Sequence, residues 1–483
     1  MEPEHFRFGG GAAETTIHPL VAVYLLIAIV LILALPRSKA IVPFLLAFFT
    51  IPIGNVVVLG GFHFTALRLL ILAGLARRAS SRKSSSGGKF PKGFNAVDWV
   101  VVLWSVSAVI VFCLQYRETQ ACIRGLGDLV DTLGGYMVVR FLIPDGEAMR
   151  RTIKVLAAVC VINGVCMINE QIRHINVFGL LGGISPEVVV RDGDIRSEGV
   201  MGCIYAGAFA GVLIPLFVWL WKQGKSRMVA CAGLFGATAM VITSRSSTSI
   251  LAFGGSLVAL AFWPLRKGMS LVRWGLVIML VGLHLVMKAP VWALIARIDL
   301  TGSSSGDQRY HLMDMCIRHF SDWWLLGSKY YSAWGWGSWD LCNQFVAVAL
   351  TGGLLVLVFY IMIFSRSFGA IGSARKHVDG DRGQEWLLWC LGSALFATVV
   401  AHFGINYMAQ LIMGFFPLVA CISVATFEAR QVAVQSVEAP AREQFASAPG
   451  AAEANLPLAE ANREARHSLS SRRKERFTSW LKA

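Results

Sequence analysis

Charge is what this sequence has least of. Only 15% of its 483 residues are Asp, Glu, Lys or Arg, where soluble globular domains carry about 25%. Hydrophobic residues make up 55%, against roughly 45–50% in such domains, so a soluble enzyme is not expected. The ten cysteines include no Cys-x-x-Cys pair. Most of them, such as Cys113, Cys160, Cys166, Cys231, Cys390 and Cys421, sit in apolar runs where a thiol is a small hydrophobe. Neither a zinc site nor a disulfide framework is indicated. No repeat recurs at a fixed period. The opening Met1-Glu2-Pro3-Glu4-His5 has no basic n-region, and the first apolar stretch, about 17–35, is too long for an h-region. It is therefore kept as a first membrane span rather than a signal peptide.

What the chain does have is apolar runs of bilayer length, about 20 residues each. They occupy roughly 17–35, 40–60, 62–76, 97–115, 120–143, 152–171, 199–221, 228–243, 248–265, 271–288, 343–364, 385–403 and 406–427. The expected fold is an all-α polytopic membrane protein of about 12–13 transmembrane helices. The short run at 62–76 follows Gly60-Gly61 closely, so the second and third runs could form one broken or re-entrant element.

Basic residues outnumber acidic ones, 44 to 29, a formal +15. They cluster at Arg37/Lys39, from Arg77 to Lys92, at Arg140/Arg150/Arg151, and in Lys222–Arg227, Arg266–Arg273 and Arg366–Arg382. These are every second connection, as the positive-inside rule demands if those loops are cytoplasmic. The excess charge is thereby explained without nucleic acid. The N-terminal arm 1–16 comes out external, and helices 1–10 fill 17–288 with a cytoplasmic linker at 77–96. A large periplasmic loop, 289–342, lies between the tenth and eleventh helices. Helices 11–13 fill 343–427, and 428–483 is a cytoplasmic tail with little to bury, expected to be disordered.

Arginines on the external side run against the charge bias, which draws attention to Arg196, Arg245 and Arg309. Each has a plainer reading. Arg245 suits interfacial snorkelling, and Arg196 can pair with Glu198 in Arg196-Ser197-Glu198-Gly199. Several guanidinium groups facing one cavity would instead hold a diphosphate bidentately. The large loop carries Trp292, Trp323, Trp324, Trp334, Trp336 and Trp339 among charges of both signs. Aromatic faces beside carboxylates suit a sugar, and equally an interfacial aromatic belt. Residues 308–320 fit a short amphipathic helix. Asp340 and Asn343 stand one helical turn apart where the loop enters the eleventh helix. Asp340 reads as a general base for a sugar hydroxyl or as a helix N-cap, and His311 and His319 compete for the base role. In the fifth span, Arg124, Asp128 and Asp131 permit an internal ion pair. Asn163, His402, Asn406, Tyr407 and Gln410 are groups that helices in lipid use to hydrogen-bond one another.

This layout resembles the O-antigen ligase and O-antigen polymerase-like integral membrane glycosyltransferases over roughly residues 190–425. Arg196-Ser197-Glu198-Gly199-Val200-Met201 resembles the family's R-x-x-G-x-F region, and Ser244-Arg245-Ser246 its S-R-S turn. Ser305-Gly306 with Arg309 resembles the S-G-x-R start of the large loop. Trp324-Leu325-Leu326-Gly327 and Gly335-Trp336-Gly337 resemble the stretch before H-N-x-[FY]-L, which here reads Cys342-Asn343-Gln344-Phe345-Val346, followed by Gly352-Gly353. The resemblance implies metal-independent, cofactor-free, inverting transfer from an undecaprenyl-diphosphate-linked oligosaccharide to a carbohydrate acceptor in the bacterial inner membrane. A flippase and a chain-length regulator would be further partners. It also implies that arginines hold the diphosphate while a loop histidine assists the acceptor. Cys342 stands at that histidine's position, and a thiol of ordinary pKa about 8.5 is a poor substitute for an imidazole near 6.5.

The expectation is therefore a glycosyl transferase on the periplasmic face, polymerising an exopolysaccharide or O-antigen, with ligation to lipid A core as the alternative. Arg196, Arg245, Arg309 and Asn343 are the substrate-binding candidates, and Asp340 and His311 the catalytic ones. Rivals from other classes are a secondary transporter using Arg124/Asp128/Asp131 and His402, and a non-catalytic partner in a polysaccharide assembly complex.

Overall fold

The computed structural model describes residues 14–60, 62–81, 94–191, 193–297, 305–335, 337–378 and 380–446. The chain is mostly helical. Among the described residues seven helices are long and apolar enough to cross a membrane, and three further apolar helices are shorter. The sequence-based count of 12–13 crossings is thus met only in part.

In chain order the first elements are α1 (Pro19–Ala34), α2 (Ile41–Phe48), the hairpin β1 (Val56–Leu59) with β2 (Phe62–Thr65), and α3 (Ala66–Ser80). Then follow α4 (Ala96–Tyr116), α5 (Thr119–Leu129), a π turn (Val130–Gly134), α6 (Gly135–Leu142) and α7 (Gly146–Arg173). A second hairpin, β3 (Val189–Arg191) with β4 (Asp194–Arg196), precedes α8 (Cys203–Lys222), α9 (Arg227–Thr243), α10 (Ser247–Ala261) and α11 (Met269–Val286). The loop region holds α12 (Ser305–Arg318) and α13 (Phe320–Trp323), after which come α14 (Gln344–His377), α15 (Arg382–His402) and α16 (Ala409–Ala446).

Two expectations change here. The run at 40–60 is not one crossing: α2 stops at Phe48 and the chain then turns into the β1/β2 hairpin. The turn contains Pro52, which has no N–H to offer a helix, and is held by buried Asn55. The Asn55 side chain accepts from His18 N (3.1 Å) and donates to the Pro52 and Gly182 carbonyls (3.2 and 3.1 Å). The second change is at the C-terminus, where helix continues past residue 428 to Ala446. The N-terminal arm up to residue 13, linker residues 82–93 and the segment from 447 lie outside the described residues.

Helix α8 is buried along nearly its whole length and packs against α7, α9, α10 and α15. Lipid supplies no hydrophobic drive between helices, so close approach of small residues takes its place. A Cβ on Gly164 of α7 would sit 2.6 Å from the Gly236 carbonyl of α9, and one on Gly211 of α8 would sit 2.8 Å from Phe253 N of α10. Ser256 of α10 donates to the Gly211 carbonyl (2.7 Å) across the same contact. Helix α11 differs from all of these, being exposed to its surroundings along its length.

Several ionic groups inside the bundle are paired. Asn95 and Asp98 form a reciprocal capping box at the start of α4, and buried Asp98 also accepts from the Tyr136 hydroxyl and from Arg140 Nε (3.3 Å). Asp131 is held by Arg68 of α3 through two bonds of 3.0 and 2.5 Å. The pairing within α5 that the Arg124/Asp128/Asp131 spacing permits is therefore replaced by one between helices, at the π turn that carries Asp131.

Helix α14 is broken. Gly353 has φ +71° and ψ −176°, outside the helical region. At the break Leu354 N donates to the Trp324 carbonyl and Ser328 N donates to the Leu350 carbonyl, both at 2.8 Å. The Trp324–Gly327 and Gly352–Gly353 motifs are thus two sides of one contact. A Cβ on Gly327, whose φ is +78°, would lie 2.2 Å from the Leu350 oxygen. Gly327→Ala is expected to destabilise the fold by about 1–3 kcal/mol. Thermal unfolding in detergent should show a lowered midpoint, while Gly254→Ala, at a helical position facing open space, should show none.

Candidate functional site

Three segments meet where α9 passes into α10. The first is the chain between β4 and α8, whose backbone is held by side chains of α7. Buried Glu170 accepts from Glu198 N (2.9 Å) and Gly199 N (3.1 Å). Gln171 Nε2 donates to the Ile195 and Thr243 carbonyls (2.9 and 3.1 Å) and to Ser197 Oγ (3.0 Å), and Ser197 N donates to the Thr243 carbonyl. Asn176 Nδ2 donates to the Gly199 carbonyl at 2.9 Å. With its neighbours fixed on both sides, Arg196 has little freedom to move. Its Nε is buried without a hydrogen-bond partner, and no ion pair joins it to Glu198, so the simple Arg196–Glu198 pairing does not form. Burial raises the Glu198 carboxyl above its ordinary range, and the nearby Arg196 charge opposes that rise.

The second segment is the Ser244-Arg245-Ser246 turn. Arg245 takes a left-handed backbone, φ +45°, a conformation that costs a non-glycine residue about 1–2 kcal/mol. Its guanidinium meets Asp194 of β4 at 2.8 Å, with both side chains about half exposed. The third segment is the loop. Arg309 of α12 is buried, 6% exposed, and its Nη2 donates to Thr248 Oγ1 at 3.0 Å. Thr248 in turn donates to the Gly404 carbonyl at 3.0 Å. Arg196 and Arg245 are therefore linked through β4, and Arg245 and Arg309 through the first turn of α10.

Next to Arg309 in sequence, Gln308 Nε2 donates to Asp340 Oδ2 at 3.1 Å. Asp340 does not cap the following helix. That position belongs to Asn343, whose Oδ1 accepts from Phe345 N (3.0 Å) and Val346 N (3.2 Å). The Asp340 carboxylate stays partly exposed, and Asn343 Nδ2 is buried without a hydrogen-bond partner. His311 is exposed and lies against the Tyr310 ring. His319 is engaged elsewhere, bonded to Asp322 Oδ2 at 3.0 Å and stacked on Trp334 at 4.6 Å.

The helical part expected at 308–320 is α12. Its Leu312 and Cys316 join Trp323, Val346, Ala349 and Leu350 in a small core of their own. Trp292 and Arg318 both donate to Asp314, at 3.3 and 2.6 Å. Of the loop's aromatic residues Trp323 is buried in this core and Tyr331 and Trp334 pack against it, whereas Trp324 and Trp339 are exposed. His402 is buried with both ring nitrogens occupied, one by the Tyr360 hydroxyl and one by the Thr398 carbonyl, each at 2.6 Å. Asn163 bonds the Phe49 and Val159 carbonyls, and Gln410 those of Phe48 and Ile51. These groups hold helices together. Among the described residues no group of three or more His, Cys, Asp or Glu gathers where it could hold a metal ion.

Thr248, Gln308, Glu170 and Asp194 were not singled out by sequence reasoning. Thr248 lies three residues beyond Arg245 and Gln308 next to Arg309, so both had a positional signal. Glu170 had a weaker one, being an acid near the end of an apolar run. The β3/β4 hairpin that carries Asp194 was marked by Gly193 after a β-branched stretch. No family model matches the chain, and no curated protein matches it significantly.

Burial, with the Asp340 charge adding and the Arg309 charge opposing, pushes the Cys342 thiol up from its ordinary value near 9 to about 11. The thiol is thus protonated near neutral pH and is no base. A variant retaining only Cys342 should react with iodoacetamide at a rate that climbs about tenfold per pH unit up to about pH 11. A plateau beginning near pH 9, as in a free thiol, would contradict this environment.

Proposed function

We propose that this protein is a bacterial inner-membrane glycosyltransferase acting on its periplasmic face. In this reading it moves an oligosaccharide from undecaprenyl diphosphate to a sugar hydroxyl and so extends an exopolysaccharide or O-antigen chain. The observation that carries the proposal is the linkage of Arg196, Arg245 and Arg309 around the α9–α10 turn, with Asp340 tied to the same loop helix through Gln308. Topology rests on the charge alternation between connections, which puts this end of the bundle opposite the basic loops.

The chemistry follows from charge. In the reaction the bond from the sugar C1 to the diphosphate oxygen breaks as the acceptor oxygen attacks C1 from the opposite face, which inverts the anomeric centre. The acceptor proton passes to Asp340, and the departing diphosphate keeps the electron pair of the broken bond. Guanidinium groups stabilise that developing charge by bidentate bonds, with no metal needed. Arg196 has a buried donor to give, and Arg245 can exchange Asp194 for a phosphate because a half-exposed ion pair is worth only about 0–1 kcal/mol. Arg309, bonded to Thr248, anchors the loop and adds positive charge. The Asn343 amide offers a further donor toward the bound sugar. His311, exposed on α12, is the second choice for the base.

Ligation to lipid A core would use the same donor site with a different acceptor. The transporter reading has less to stand on, since Asp131 and His402 are committed to structural partners.

The purified protein should be reconstituted with undecaprenyl-diphosphate oligosaccharide in EDTA and its products resolved by length. A ladder is expected from the native protein, and a loss of about 10²–10³-fold from Arg196→Ala and from Arg245→Ala, with insertion and thermal stability retained. Near-normal activity in both variants would sink the assignment. Full activity in Asp340→Asn would move the base role to His311. Product only after addition of lipid A core would identify a ligase.

A further inference from the structure

A groove runs between α1 and α2 on the outside of the bundle, away from the arginine-rich turn. Its volume is about 430 Å³. The walls are apolar, with Ile27 and Leu31 from α1 facing Val42 and Leu46 from α2. One end is polar and cationic, where Lys39 and Arg151 line the opening. At the other end the Tyr24 hydroxyl meets Thr50 Oγ1 at 3.1 Å. From Tyr24 to Leu35 the helix rises about 16 Å at 1.5 Å per residue, which is close to half of the roughly 30 Å hydrocarbon core of a bilayer. The groove therefore has the length of one leaflet's acyl chain, with positive charge where that chain's headgroup would lie.

The charge at this end is in excess. Arg37 Nε donates to the Phe141 carbonyl at 2.6 Å, and its Nη2 is buried without a hydrogen-bond partner. Arg77 donates to the carbonyls of Ile32 in the last turn of α1 and of its C-cap Leu35. Burial, then the neighbouring Arg140, Arg77 and Arg78 charges, lower Arg37 to about 10, with Asp145 opposing. Arg151 bonds the Ser38 carbonyl and Glu147, and exposed Glu147 offsets only part of this positive field. Lys39 is exposed and makes no side-chain hydrogen bond or ion pair among the described residues.

The geometry points to a binding site for an anionic phospholipid, with one acyl chain in the α1/α2 groove and the phosphate held by Lys39 and Arg151. Basic pockets at the cytoplasmic ends of membrane helices are suited to such headgroups. The site is separate from the proposed transfer reaction and does not depend on it.

The test is native mass spectrometry of the full-length protein with equimolar phosphatidylglycerol and phosphatidylcholine of identical acyl chains. The native protein should retain phosphatidylglycerol about five-fold over phosphatidylcholine, whose choline cation cancels the phosphate charge, the ratio expected if one basic side chain gains about 1 kcal/mol from a net negative headgroup. Lys39→Gln removes no hydrogen bond or ion pair of the fold and should lower that ratio at least about two-fold, with Arg151 left to give the remainder. Leu31→Trp fills the groove and keeps both cations, so it should lower retention of both lipids; Ile27→Trp replaces it should that variant not fold. Equal retention of the two lipids by the native protein, or an unchanged preference in Lys39→Gln, would overturn the proposal. So would displacement of phosphatidylglycerol by millimolar inorganic phosphate, which would make the cations a site for a soluble anion.

Discussion

Two backbone hydrogen bonds, from Leu354 to Trp324 and from Ser328 to Leu350, hold the loop region to the bundle. Inside hydrocarbon an unpaired backbone N–H or C=O costs several kcal/mol, so a helix can break only where something else supplies the partners. Here the loop supplies them, and the exchange works in both directions. The break at Gly353 gives the loop a fixed point of attachment, and the loop gives the break its missing partners. Arg309, Asp340 and Asn343 all belong to the region so attached. This junction helps set their positions relative to the α9–α10 turn, and Arg309 adds a direct tie of its own through Thr248.

The opposite wall of the site is built by a different device. Glu170 and Gln171, near the end of α7, hold the segment before α8 through bonds to Ile195, Ser197, Glu198 and Gly199. A carboxylate that accepts two backbone N–H groups is a strong and directional anchor. Rigid elements therefore carry Arg196 and Arg245, while a packed loop carries Arg309. In the proposed transferase, that division would keep a charged group in place and still admit a bulky chain between the two sides.

The long apolar helices were legible because a bilayer imposes length and composition on every crossing, and α4, α7, α8, α9, α10 and α15 follow the runs read from the sequence closely. In the stretch 40–60 the break was foreshadowed by Gly60-Gly61, which allowed the second and third runs to form one broken element, but the hairpin itself was not legible. Val56–Leu59 is as apolar as a membrane helix, and its pairing with Phe62–Thr65 across the turn at Gly60 makes it part of a hairpin. The amphipathic helix in the loop was visible from its period, and the break in α14 was foreshadowed by Gly352-Gly353 without its partner being evident. Among candidate site residues, the arginines stood out because they defied the charge bias. Asn343 as the helix cap is a local feature that the more acidic Asp340, three residues earlier, obscured, whereas Arg68 as the partner of Asp131 depends on a tertiary contact between segments distant in sequence. No local pattern encodes such contacts.

Gln410, which donates to the carbonyls of Phe48 and Ile51, lies 362 residues beyond the first of them. Those two carbonyls sit where α2 gives way to a turn, and they acquire their partner only when the last apolar helix is made. At about 5–20 residues per second, translation leaves them waiting roughly 20–70 s. Over that interval the early helices need a temporary donor, from water or from the insertion machinery, so the time at which the bundle closes is set by its final helix.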